Sequence, residues 1–246
     1  MSVLSDKILE ARANKFRVDC GIDHDAAIDL TKLLESLNVI TAFLPMSDKF
    51  SGMAFKTLNE KFMLVNSNQQ VGRQNFTIGH ELYHLCIQEG FTFEVSKNSF
   101  FNKKEREEYN ADVFSSCFLM PEAGIIRLIP EDELAWGAKI TLATIIKLEQ
   151  YFGVSRRAML WRLDKVGLIK FDNYEGYLTG VKKSAIEYGY STYLYTANGV
   201  NKVIGDYGVL TKNLFDKDKI SETHYHNLMR NIFVDTDNIE EDEQEE

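Results

Sequence analysis

Proline and cysteine are scarce in this chain of 246 residues, with three of each. Cys20, Cys86 and Cys117 are far apart, odd in number and never paired as CxxC, which excludes a disulfide framework and suits a reducing compartment. No stretch reaches the roughly 18 apolar residues of a membrane span. The opening MSVLSDKILEARANKFRVDC has no basic start followed by an apolar run, so no secretion signal is expected and the protein is read as cytoplasmic. Positive charge is also in deficit: 28 Lys and Arg stand against 37 Asp and Glu, a net charge of −9. That balance opposes bulk attraction to nucleic acid or anionic membrane.

What is present is ordinary for a globular protein, with 44% hydrophobic and 26% charged residues. The length allows a sizeable core in one large domain or two small ones. Much of the acidic excess lies in the ending DTDNIEEDEQEE, which reads as a disordered, solvated tail.

Helical apolar spacing runs over 5–18 and 24–37, and VITAFL (39–44) reads as a strand stopped by Pro45. SGMAFKT and KFMLVN, joined by LNE, form an expected hairpin ending near Asn66. A helix is expected from about 76 to 88, closed by Gly90, and FEVSKNSFFNKK reads as a surface loop. REEYNADVFSSCFLM is helical up to Pro121. Two further helices fall within 139–166, parted at Gly153 and capped by Ser155, with LIKF as a strand after them. Beyond 172 the chain is rich in Tyr and Gly, with a helical pair around VIGDYGVLTKNLF and SETHYHNLMRNIF.

Two of the five histidines fall in FTIGHELYHLCIQEG. Four residues of α-helix turn the chain about 40° past a full circle, so His80 and His84 share a face, one turn apart. Two imidazoles so placed can reach one tetrahedral metal ion, while Glu81, about 100° around, stands where a base for a metal-bound water belongs. The plainer reading is an amphipathic helix that buries Leu82, Leu85 and Ile87 and happens to carry histidine. The next helix decides against it. A catalytic zinc site takes three protein ligands, and EREEYNADVF offers Glu105, Glu107 and Glu108. Glu108 has Asp112 one turn below and Ser115 near the same line, whereas Glu107 heads a greasier arc through Ala111 and Phe114. Glu108 is therefore the expected third ligand, with Asp112 accepting the spare ring N–H of a histidine. Cys86 and Cys117 point away from this face and read as core.

The stretches FSGMAF to FMLVNSN, RQNFTIGHELYHL and EYNADVFSSCFLMP together resemble the ImmA/IrrE family of bacterial and phage metallopeptidases. The matching positions are Asn66, Arg73, Phe76, Thr77, His80, Glu81, His84, Glu108, Ala111, Asp112, Phe114, Leu119, Met120 and Pro121. The resemblance covers about residues 5–170 and is specific over 50–121. It implies an α+β, zincin-like fold with a short mixed sheet packed on the HExxH helix, a zinc cofactor, and a protein substrate of the helix-turn-helix repressor class. Tyr83, Ser115 and the long tyrosine-rich C-terminal extension depart from the family pattern.

The expected organisation is a zincin-like metallopeptidase domain over 1–135, a helix-turn-helix-like segment over 136–171 and an extension over 172–246. KFMLVN is expected to hold substrate by edge pairing, and Arg73 and Asn66 are the substrate-binding candidates. Two other function classes compete. One is a DNA-binding regulator, since TLATIIKLEQYFGVSRRAMLWRL has helix-turn-helix cadence with Arg156 and Arg157 opening its second helix, though the acidic balance opposes it. The other is a metal-bound protein that sequesters a repressor without cutting it. His224 and His226, two apart, diverge on a helix and make no second metal site.

Overall fold

The structure is a computed structural model and describes residues 4–97, 101–102, 105–135 and 138–230. The acidic stretch DTDNIEEDEQEE lies outside the described residues. The chain begins with helices α1 (Asp6–Asp19) and α2 (Leu30–Ser36), strands β1 (Val39–Leu44), β2 (Phe50–Lys56) and β3 (Lys61–Asn66), and helix α3 (Val71–Cys86). Strand β4 (Phe93–Lys97) leads to helices α4 (Arg106–Leu119), α5 (Glu122–Leu128), α6 (Glu131–Leu134), α7 (Leu142–Phe152) and α8 (Arg156–Lys165). A 3-10 helix (Phe171–Leu178), helix α9 (Val181–Glu187), a 3-10 turn (Tyr193–Tyr195), strand β5 (Lys202–Ile204) and helices α10 (Tyr207–Asp216) and α11 (Glu222–Arg230) follow. This is the α+β class that the family resemblance implies.

The five strands form one mixed sheet in the order β4-β2-β3-β1-β5, in which β1 and β3 are parallel and every other pair is antiparallel. β2 and β3 form the expected hairpin, with Gly52 opposite Val65. β3 drops between β2 and β1, so the connection 45–49 must arch over its C-terminal end. Asn66 stands at that end, fully buried. Its Oδ1 accepts from the Met46 and Asn68 amides at 2.9 and 3.0 Å, and its Nδ2 donates to the Ser47 and Phe50 carbonyls at 3.0 and 2.8 Å. The side chain satisfies backbone groups of the arch that would otherwise be stranded.

Several expectations give way to tertiary contacts. KFMLVN is an inner strand bonded on both sides, so it has no free edge for a peptide. FEVSK is not loop but the edge strand β4, recruited by β2, with Val95 opposite Met53. LIKF makes no strand; Phe171 N–H donates to Asp164 at 3.0 Å and the chain winds into the 3-10 helix. α2 starts only at Leu30, because Asp29 accepts the Lys32 amide and fixes the N-cap there. α3 begins at Val71, five residues earlier than its apolar spacing suggests. Its first turn is held from outside: Val71 N–H donates to Thr196 O at 3.1 Å, and Val71 packs with Ala185, Leu194 and Tyr195 of the C-terminal part.

The core lies where α3 packs between the sheet and α4, with α1 behind α4. Phe16 of α1 meets the rings of Phe114 and Phe118 at 5.9 and 5.3 Å. Buried Arg17 donates to Phe118 O at 2.6 Å and to Asp23 O and Ala26 O, and burial pulls its pKa down to about 10. At the α3–α4 crossing Gly79 faces Ser115, and a Cβ on Gly79 would sit 2.5 Å from Ser115 Oγ. That hydroxyl donates to Phe76 O at 2.8 Å.

Gly79→Ala is therefore expected to cost about 1–3 kcal/mol by overpacking. Urea unfolding measures it, and adding Ser115→Ala should recover part of the loss, because the nearest remaining atom, Ser115 Cβ, lies 3.3 Å away.

Candidate metal centre

α3 carries His80, Glu81 and His84, and α4 carries Glu108 and Asp112; all but Glu108 are buried, and its side chain is 12% exposed. His80 Nε2 and His84 Nε2 stand 3.1 Å apart, and the two Glu108 oxygens lie 3.3 Å from one and 3.3 Å from the other. Ligands about 2.0–2.1 Å from a tetrahedral ion are separated by about 3.3 Å, the edge of that tetrahedron. The three side chains thus already stand at metal-ligand spacing, and among the described residues they form the group of this kind able to hold an ion.

The imidazoles are oriented from behind. His80 Nδ1 is 2.8 Å from Asp112 Oδ1, and His84 Nδ1 is 2.5 Å from Gln88 Oε1. An amide oxygen can only accept, so Gln88 places the proton of neutral His84 on Nδ1 and turns a lone pair at Nε2 inward. Asp112 does the same for neutral His80. Two inward lone pairs and a carboxylate at this spacing repel unless a cation, proton or metal, stands among them. In the absence of metal the proton takes that place. Burial alone would lower the His80 pKa, but hydrogen bonds to Asp112 and Glu108 outweigh it and hold His80 well above its ordinary 6.5. Burial likewise disfavours the charged form of Glu108, yet its bonds to His80 and His84 pull its pKa down to about 2.

Glu81 lies against β2, where a Cβ on Gly52 would be 2.7 Å from its Oε1 and 2.5 Å from Thr77 Cγ2. It is fully buried, and burial raises its pKa against the lowering effects of His80, His84 and the Ser96 hydroxyl. A carboxylate kept unsolvated and more basic than usual is suited to taking a proton.

Glu107 turns to the other side and accepts from Tyr83 OH at 2.8 Å, so it braces the two helices away from the cluster. Arg73, half-buried on the first turn of α3, is depressed by burial and by Arg157 but raised by Asp112. Asn66 is occupied by the arch over β3. Cys117 receives Arg162 Nη1 at 3.2 Å in the core, and Cys86 belongs to no ligand group among the described residues. His224 and His226 are exposed on α11. Sequence reasoning missed Gln88, although it stands four residues after His84 and the helical arithmetic that paired the histidines would have found it. It also missed Gly52, whose closeness to Glu81 arises only from sheet packing.

Residues 35–164 match the family described as the IrrE N-terminal-like domain. No curated protein matches the chain. Among solved structures, a Mycobacterium tuberculosis transcriptional regulator is similar at 16% identity with a TM-score of 0.42, over 64% of this chain and 47% of that one. The present chain thus spans about half the length of that protein.

Metal uptake must displace the His80 proton, and that proton is held above pH 6.5. Affinity is therefore expected to fall as pH drops through the raised His80 pKa, by about tenfold per pH unit for one displaced proton. Glu108 stays ionised over that range and adds nothing to the slope. Chelator competition between pH 8 and pH 5.5 measures it; a flat profile would contradict the raised His80 pKa.

Proposed function

The chain belongs to the ImmA/IrrE family of metallopeptidases through its IrrE N-terminal-like domain, and on that premise we propose that it is a zinc-dependent endopeptidase. His80, His84 and Glu108 hold the metal, Glu81 is the catalytic base, and Asp112 and Gln88 orient the two imidazoles. The observation that carries the reading is the convergence of the His80 and His84 Nε2 atoms and the Glu108 carboxylate at tetrahedral spacing, beside the fully buried Glu81. A two-histidine, one-carboxylate set is the donor chemistry of catalytic zinc.

Zinc at this position supplies water with a pKa near 7 and polarisation of the scissile carbonyl. Glu81 accepts the proton of the attacking water and delivers it to the leaving amine. Burial disfavours the charged form of Glu81 and so favours the first transfer. Substrate is assigned to the β4 edge, since β4 pairs with β2 on one side and presents its other side outward. The substrate class is carried over from the family: a helix-turn-helix repressor whose cleavage switches on mobile-element or stress genes.

The reading as a DNA-binding regulator loses Arg156 of the two arginines that motivated it, while Arg157 stays exposed. Arg156 is buried and clamps Glu149 at 2.6 and 2.7 Å; Arg162 is buried against Glu10, Met120 O and Cys117.

Zinc-loaded protein mixed with a repressor encoded beside its gene should cut it into fragments. Glu81→Gln is expected to keep zinc and lose cleavage by at least about 100-fold, the scale of a lost general base. His80→Ala or Glu108→Ala should lose the metal itself. Fragments from Glu81→Gln at the wild-type rate would sink the mechanism, and a stable complex without fragments would favour sequestration.

A further inference from the structure

Asp112 uses both carboxylate oxygens. Oδ1 meets His80 Nδ1 at 2.8 Å, and Oδ2 accepts the backbone N–H of Phe101 at 2.5 Å. The second bond fixes the twist of the carboxylate and so the line along which it pulls the imidazole. Phe101 holds that amide in an unusual pose: its φ is +52°, the left-handed region that bulky L residues rarely adopt. Such a conformation persists only where its surroundings impose it. Here the surroundings are two rings. Phe101 stacks on Trp161 with centroids 3.5 Å apart and planes 7° from parallel, and meets Phe76 edge-on at 6.0 Å.

Trp161 belongs to α8, outside the helix pair that carries the ligands. It is anchored in turn by Lys165, whose Nζ lies 5.0 Å from the indole centroid and bonds Asp6 of α1 at 3.1 Å. A continuous line of contacts runs from α8 through Trp161, Phe101 and Asp112 to His80.

We propose that Trp161 and Phe101 are positioning residues of the metal centre: their stack holds the Phe101 amide that aims Asp112, and through it His80, at the ion. The inference rests on the metal site proposed above and gives α8 a task in it. Neither residue touches substrate or metal; both act through one carboxylate.

The test is a double-mutant cycle read as zinc affinity by competition with a chromophoric chelator. Trp161→Ala should weaken zinc binding about tenfold, the lower end of what lost outer-shell support costs. Phe101→Leu, which removes the stacked ring from a loop and leaves α8 intact, should do the same, and Trp161→Phe should restore affinity to within about threefold. In an Asp112→Asn background, Trp161→Ala should change affinity no further, because the carboxylate it acts through is gone. Wild-type affinity in both Trp161→Ala and Phe101→Leu, or losses that simply multiply in the double variant, would overturn the inference while leaving the metal site standing. A wild-type protein that takes up no zinc would overturn both.

Discussion

Three ligand atoms from two helices can meet only if α3 and α4 approach closely, and that approach hangs on Gly79. A side chain there would strike Ser115. With none, the Ser115 hydroxyl enters the groove and bonds the Phe76 carbonyl, so a tight crossing is also a polar tie. Around it the Tyr83–Glu107 bond fixes one side of the pair. Behind α4, the rings of Phe16, Phe114 and Phe118 and the guanidinium of Arg17 set how far that helix can move. The sheet closes the other side through Gly52, where the absence of a side chain gives Glu81 its place.

A site so buried raises the question of how its polar groups remain in a low-dielectric interior. Burying an ionisable group without a partner is costly, and one remedy is to shift its pKa until it is neutral. Burial pushes Glu81 in that direction, raising its pKa against the pull of the two histidines. His80 takes the opposite one, recruiting Asp112 and Glu108 so that its charged form is favoured despite burial. The same two carboxylates that stabilise an imidazolium also stabilise a metal ion in its place, so the proton and the metal are alternatives at one electrostatic well. The basicity of Glu81 and the affinity of the three candidate ligands for a cation are therefore set by a single arrangement of charges.

The metal-ligand face was legible from the sequence because it depends on local geometry. Once α3 and α4 are helices, the 40° offset puts His80 beside His84, and the same rule stacks Asp112 under Glu108. What stayed hidden depends on contacts far apart in sequence. β4 is a five-residue strand whose identity comes from β2. The inner position of β3 comes from the order in which strands are laid down, which alternation of apolar residues does not encode. Asn66 entered as a substrate-binding candidate through the family resemblance; the arch it holds is visible only once β3 is known to lie between β2 and β1. Phe101 gave no signal, since its left-handed backbone is imposed by Trp161, Phe76 and Asp112 together.

The α7–α8 pair shows how one cadence serves two purposes. Thr141 and Ser155 cap the helices and Gly153 turns left-handed between them, as a helix-turn-helix would require. A reader of DNA must also turn its basic residues outward to phosphate and base edges. Here Arg156 turns inward to Glu149, which also accepts from Tyr195 OH, and so locks the C-terminal part onto this turn. Arg162 turns inward to Met120 O at the end of α4, leaving Arg157 the exposed member of the three. Counting basic residues along α8 could not separate these cases, because the count is the same whichever way they face. The direction is decided by acceptors elsewhere in the chain: Glu10 on α1, Glu149 on α7 and a carbonyl closing α4. With those acceptors in place, α8 packs against α4, one of the two helices that carry the candidate ligands, and its sequence resemblance to a recognition helix follows from ordinary capping and packing.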